Sequence, residues 1–492
     1  MAIQDLKTLN RSLSSSRSAA RRVGRWMMAS TALLLSGCAS FSPDSGMGVV
    51  TATVSQDLGK QAAALRTPDD AAAARSTTAR LLSRPLSADA AVQVALLNNR
   101  GLQAAYNELA IEEARAVEGS LPPNPAISLS RIAGSVEVEV ERKIVANVLA
   151  LATLPVRSEI AAARFRQAQI AALSETLRVA ADTRRAFYRA VSARELAGFL
   201  AQAQSGAETA AKFATRLGET GGMNKLDQAR EQVFYADLTA QLATTRQRAA
   251  SEREALIRAM GLWGGDLTFR MGTALPPLPS RPQSLPGIET EAVRRHVDLK
   301  IGRIELDALA KSWGLTQATR FINVLDAGLA GKTTREKATG EKLRDRGFDV
   351  ELQIPIFDFG EVRVREAEAT YMLAVNRLTE RAVNVRSEAR DAYRSYRSSY
   401  DIASHYQREV LPLRKIISDE TLLRYNGMLI DVFSLLAEAR QRIAATTAAI
   451  EAKRDFWLAT TNLNTAVMGG GVPGRSESAR AMSGASADAP QH

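Results

Sequence analysis

Ser135-Val136-Glu137-Val138-Glu139-Val140-Glu141 alternates apolar and acidic residues without a fault, and Phe348-Asp349-Val350-Glu351-Leu352-Gln353-Ile354 keeps the same rhythm with acidic or polar partners. Strict period two gives an extended strand one apolar and one polar face. Each stretch has a shorter companion upstream, Ile127-Ser128-Leu129-Ser130 and Phe321-Ile322-Asn323-Val324-Leu325, so the chain offers two strand pairs. Four short strands cannot close a barrel alone, and open strand edges are not tolerated in lipid. If these strands meet a membrane, several copies must share one barrel.

Outside the strands the pattern is helical. Ser87 can cap a helix starting near Ala90 and running to about Glu118, where Leu121-Pro122-Pro123-Asn124-Pro125 stops it. No proline interrupts the stretch from about Val156 to Leu217, a helix of roughly 90 Å at 1.5 Å per residue. Gly218-Glu219-Thr220-Gly221-Gly222 turns the chain into a return helix ending near Met260. A second long helix is expected from about Val362 to Arg424, kinked at Pro412, with a turn at Asn426-Gly427 and a return helix from about Ile430 to Ala466. Helices this long must pair side by side, as in coiled coils and bundles. The fold class that follows is mainly α with a membrane β part, in two repeats at 86–265 and 288–468. Each repeat holds a strand pair and a long helical hairpin, and a proline-rich linker, 266–287, separates them. Residues 142–155 are open between strand and helix. Lys332–Arg346 reads as a charged turn, and the first hairpin turn as shorter and richer in glycine than the second.

The composition, 46% hydrophobic and 24% charged, is that of a folded protein. The net charge of +11 drops to +6 once residues 1–37, with six basic side chains and one acid, are set aside. The remaining charges are interspersed along helices, with no basic stripe carrying aromatics, so nucleic acid is not an expected partner. Residues 1–37 read as a signal peptide with an apolar core too short to span a membrane as a helix. The core ends in Leu35-Ser36-Gly37-Cys38, which resembles the bacterial lipobox, and Cys38 is the only cysteine in the chain. The resemblance implies a lipid on Cys38, and Ala39 after it suggests outer-membrane delivery. Residues 38–85 read as a mostly extended tether with a short helix near Gln61–Arg66, and 469–492 as a disordered tail.

Several linked features resemble the TolC family of outer-membrane efflux proteins over about 86–470. Ala90-Ala91-Val92, Asn98-Asn99-Arg100-Gly101-Leu102 and the proline run at 122–125 are similar to its first helix and strand entry. Leu352 to Gly360 is similar to its second strand and turn, and Arg424-Tyr425-Asn426-Gly427 with Asp431 and Ala439 to a hairpin turn. Arg216 to Arg230 resembles the counterpart of that turn in the first repeat. The resemblance implies a homotrimer with a shared 12-stranded β-barrel in the outer membrane and an α-helical barrel across the periplasm. It also implies partners: a periplasmic adaptor and an inner-membrane pump. The function it implies is the exit duct of a tripartite efflux or type I secretion system. Metal cations, drugs and proteins all leave through such ducts. The alternative is a periplasmic coiled-coil scaffold or adaptor lipoprotein without a channel.

Candidate site residues follow from these placements. Glu137, Glu139, Glu141, Asp349 and Glu351 would line a wet lumen and favour cations, or lie solvated near an extracellular rim. Asp227 and Asp431 follow the two hairpin turns and could form acidic rings at the inner mouth, or serve as helix N-terminal acids. By the resemblance, Gly222, Met223, Gly427 and Met428 are turn residues available to the adaptor. Histidines 296, 405 and 492 have no metal-ligand spacing, and Gly469-Gly470-Gly471 lacks a phosphate-loop lysine, so neither an enzyme nor a cofactor site is expected.

Overall fold

The computed structural model describes residues 41–471. The leader, Cys38 and the tail beyond Gly471 lie outside the described residues. In chain order the helices begin with α1 (Gly48–Leu58), α2 (Pro68–Leu82), α3 (Ala88–Asn98) and α4 (Arg100–Ser120). Strands β1 (Ala126–Ala133) and β2 (Glu137–Asn147) follow, then the short α5 (Val148–Ala152), the 66-residue α6 (Leu154–Glu219) and α7 (Lys225–Met260). Beyond 261–287 come α8 (Ile288–Arg295), α9 (Val297–Ala318), β3 (Val324–Glu336) and β4 (Lys342–Gln353). The chain continues as α10 (Glu361–His405), α11 (Leu411–Asn426) and α12 (Val432–Met468). It is mostly helical, with one small antiparallel sheet, and its described residues fall into two compact units.

One unit comprises 41–46, 110–166 and 305–372. Its sheet has the order β1-β2-β3-β4, every neighbour antiparallel. The strands outrun the expected ones. The segment Lys332–Arg346 is not a turn: β3 runs to Glu336 and β4 starts at Lys342, with Gly340 in the left-handed region between them. Here both faces carry charged or hydroxyl side chains, with Leu343 the one large apolar residue, so hydropathy hides the alternation. The third strand starts at Val324, not Phe321, and the open stretch 142–155 resolves into strand to Asn147 and then helix. Asn147 ends the strand by accepting a hydrogen bond from the Ala150 amide (2.6 Å) as the cap of α5. The helical parts of this unit meet through a Trp313–Tyr371 stack (5.6 Å) and an ion pair between Lys311 and Glu159 (3.0 Å). Gly119 lies so close to Ala161 that a Cβ there would come within 2.9 Å of it. The Ser42 amide donates to the buried Glu113 carboxylate at 2.6 Å, fixing the entry of the described chain.

The other unit comprises 47–109, 167–304 and 373–471 and holds most of the core. Buried positions on α6 (Leu196, Leu200, Ala207, Ala211, Ala214) and on α10 (Val385, Ala389, Tyr396, Tyr400, Ala403) share the spacing 4-7-4-3. That is the 3.5-residue period of a supercoiled seam. Phe456 of α12 packs between Tyr396 and Tyr400, and Trp457 stacks on Tyr188 at 5.3 Å. The second long helix is interrupted before Pro412 by a π-helical turn, Tyr406–Val410, which absorbs the proline's missing donor. A shorter break at Asn99 splits the expected helix to Glu118 into α3 and α4, and the Asn99 side-chain amide donates to the Ala259 carbonyl (3.0 Å).

The expected tether needs correction. Residues 48–82 form two helices, and Gln61–Arg66 is the non-helical piece between them. Gly59 ends α1 in a left-handed cap, and Thr67 and Asp70 form a capping box with Pro68 at the start of α2. Val50, Val54 and Ala74 are buried, and the intervening backbone is held by the Gln93 and Gln103 side chains.

Candidate channel sheet and hairpin turns

Antiparallel register sorts every sheet residue onto one of two faces. Glu137, Glu139, Glu141, Asp349 and Glu351 all fall on the same face, joined there by Asp326, Glu336 and Asp345. Two lysines share it. Lys143 Nζ meets Asp349 Oδ2 at 2.6 Å, and Lys332 Nζ meets Glu139 Oε1 at 2.6 Å. The opposite face carries an apolar band that nothing among the described residues covers: Phe348 is 81% exposed, Ile127 76% and Leu329 70%. Next to the helical end of the sheet Phe357 is 98% exposed, with Phe321 and Phe359 also exposed. Neither β1 nor β4 has a second strand neighbour among the described residues, so both sheet edges are open.

The two hairpin turns are equal in length, 220–224 and 427–431, contrary to the expected shorter first turn. Each ends in a side-chain cap of the return helix. Asn224 accepts from the Asp227 amide (2.9 Å) and Asp431 from the Ser434 amide (2.9 Å). That hydrogen bond to the Asp431 carboxylate holds its pKa below the ordinary aspartate value. Asp227 is buried and paired with Arg230 at 3.1 Å. Both acids therefore act as helix N-terminal groups within the chain.

Gly222 and Gly427 sit in the turns as expected. The methionines diverge. Met428 has φ +58° and is 93% exposed, whereas Met223 is 7% exposed. Met223 is thus not freely available to a partner. It lines an apolar recess of about 370 Å³ with Phe213, Tyr425, Val432, Leu435 and Leu436, where burial of its thioether outweighs exposure.

Sequence reasoning missed one site. Glu231 of α7 is 3% exposed and meets Arg440 of α12 at 2.9 Å, while that guanidinium lies 4.4 Å over the Phe234 ring. Burial raises the Glu231 pKa despite the arginine. The other carboxylate oxygen of Glu231 and Arg440 Nε are buried with no hydrogen-bond partner among the described residues. The signal is present: 227, 231, 238 and 242 keep the 4-7-4 seam spacing, with Asp227 and Glu231 where apolar residues are expected. Among the described residues, no group of three His, Cys, Asp or Glu side chains could hold a metal, and no helix is long and apolar enough to cross a membrane.

Solved structures share this arrangement. The CmeC outer membrane channel of Campylobacter jejuni is similar with a TM-score of 0.66 and 15% identity, over 80% of this chain and 88% of that one. CusC, solved in a study of folding and transmembrane channel formation, is similar with a TM-score of 0.65 and 16% identity, over 77% and 91%. The chain has the TolC-like fold of outer-membrane channels. The outer-membrane channel OprN extends the likeness to 89% of this chain and 98% of its own, with a TM-score of 0.60 and 16% identity. No protein-family model and no curated protein matches the sequence. The likeness to channels therefore rests on the backbone fold alone.

Proposed function

We propose that this chain is the outer-membrane exit duct of a tripartite efflux system, receiving cargo from an inner-membrane pump through a periplasmic adaptor. The observation that carries the reading is the sheet. It has one acidic face, one exposed apolar face flanked by phenylalanines, and two open edges. Such a sheet is stable only if β1 of one copy pairs with β4 of the next and lipid covers the apolar face. Two copies would give eight strands, a bore that side chains fill. Three give twelve, leaving a wet lumen for the carboxylates, which fits the trimer implied by the TolC-like fold. In this reading each chain contributes two repeats, the hairpins form the periplasmic cylinder, and Cys38 carries a lipid that adds a second hold on the outer membrane. The acidic lumen favours cations, while the pump selects the cargo. The chain has no catalytic role.

Planar-bilayer recording of the purified full-length protein, with crosslinking to count chains, tests this. Cation-selective steps from a crosslinked trimer are expected. A monomer without conductance after extraction from membranes would leave the periplasmic scaffold as the better account.

A further inference from the structure

Apolar and small residues have this face to themselves in only half of its rows. In register order, three rows near the helical end carry Ile127, Ile144, Leu329 and Phe348, then Ala146, Ala327 and Val350, then Leu325 and Leu352. The next three rows, toward the turns that join β1 to β2 and β3 to β4, carry Arg142 and Arg346 beside Leu129, then Arg131 and Arg344 beside Val140, then Arg335 and Lys342 beside Val138. All six are exposed and no acid shares this face.

We infer that these six residues form a girdle that binds the phosphates of an anionic lipid leaflet. The inference rests on the duct reading, since it needs the apolar band in lipid. Three observations favour it over an ordinary solvated surface. First, the lysines of the acidic face, Lys143 and Lys332, each have a carboxylate at 2.6 Å, whereas none of the six has one among the described residues. Second, Arg335 stands directly opposite Lys342, a like-charge pair that weakens a sheet unless an anion relieves it. Third, Arg142 and Arg346 flank Gly331 in one row, with nothing nearer than 4.0 Å to where a Gly331 side chain would begin. Their strands lie about 10 Å apart across that notch, two strand spacings, so both guanidinium forks can close on one phosphate. The source is lipid, not free phosphate, because the nearest basic row lies only about 7 Å along the strands from the first apolar row. A headgroup phosphate held there has its acyl chains against Ile127, Leu329 and Phe348.

The test uses full-length protein in neutral detergent micelles doped with phosphatidic acid, with diacylglycerol, or supplied with inorganic phosphate. Thermal unfolding and phosphorus retained after gel filtration are the readouts. Phosphatidic acid should raise the unfolding midpoint by several degrees and be retained, and the R142Q/R344Q/R346Q variant should lose at least half of both effects. Diacylglycerol should do neither. An equal shift from inorganic phosphate would overturn the lipid assignment, and an undiminished response in the triple variant would overturn the girdle. The glutamines face away from the acidic surface, so the variant should still conduct. Loss of lipid binding with conductance intact in the wild type refutes the girdle alone, whereas absence of conductance in the wild type refutes the duct itself.

Discussion

Lys143 on β2 and Asp349 on β4 form a 2.6 Å ion pair across a strand that lies between them. They reach each other over Gly328 of β3, the residue opposite Asp349, where a Cβ would lie 2.9 Å from the Asp349 carboxylate and 3.1 Å from the Ile144 carbonyl. Absence of a side chain at one position thus lets charge on the second strand balance charge on the fourth.

Replacing that glycine should break the link. Gly328→Val is expected to cost about 1–3 kcal/mol through overpacking and to release Lys143 into the acidic face. The fraction of oligomer that survives detergent electrophoresis should fall, and Lys143→Met should leave it closer to wild type.

Glu231 and Arg440 tie the two hairpins together. Arg440→Ala strands a buried carboxylate and should destabilise the helical part by about 1–3 kcal/mol. Glu231→Gln should cost less. A double-mutant cycle with Glu231→Gln and Arg440→Met, read by denaturant unfolding, should give a coupling of at least about 0.5 kcal/mol. Additive losses would mean the two side chains do not interact in solution.

The same glutamate gives a pH dependence. Its pKa is raised in the folded chain, mainly by burial, so folding favours the protonated acid. Its contribution to stability is therefore complete below the ordinary glutamate value and is lost as pH rises through the raised one. Measured against Glu231→Gln, the wild-type unfolding midpoint should therefore fall with rising pH across the mildly acidic range, because the difference between the two isolates this one group.

The acidic face predicts selectivity. In the Glu137→Gln/Glu139→Gln/Glu141→Gln variant, the cation-to-anion permeability ratio should fall by at least about twofold, because the focused field weakens with each charge removed. An unchanged ratio would place these carboxylates at a solvated rim.

The sheet was legible where its faces differ in polarity. Val138 and Val140 against Glu139 and Glu141 print the alternation in the sequence, and so do Phe348 and Val350 against Asp349 and Glu351. From Lys332 to Arg346 both faces carry charge or hydroxyl groups, so period two vanishes from hydropathy and a turn is inferred. Residues 48–82 hid for another reason. Their alanines, serines and threonines suit a linker, and the helices form because Val50, Val54 and Ala74 are buried and Thr67 caps α2. Each of the two strands has an acidic face in the sequence, and the register brings the five acids onto one face of a single sheet. Glu231 was passed over because a charge in a long helix reads as surface until its neighbours at 227, 238 and 242 are known to be buried.

A sheet with two open edges and an uncovered apolar face has little stability that belongs to one chain. If three copies supply one another's missing neighbours, the stability of the sheet becomes a matter of mass action: dilution should lower its melting point. The helical core around Phe456, completed within a single chain, should melt at a temperature that dilution leaves alone. Below some threshold of synthesis, then, a cell would hold chains whose helices are folded and whose strands are not, and the abundance of the protein would decide whether it has a barrel at all.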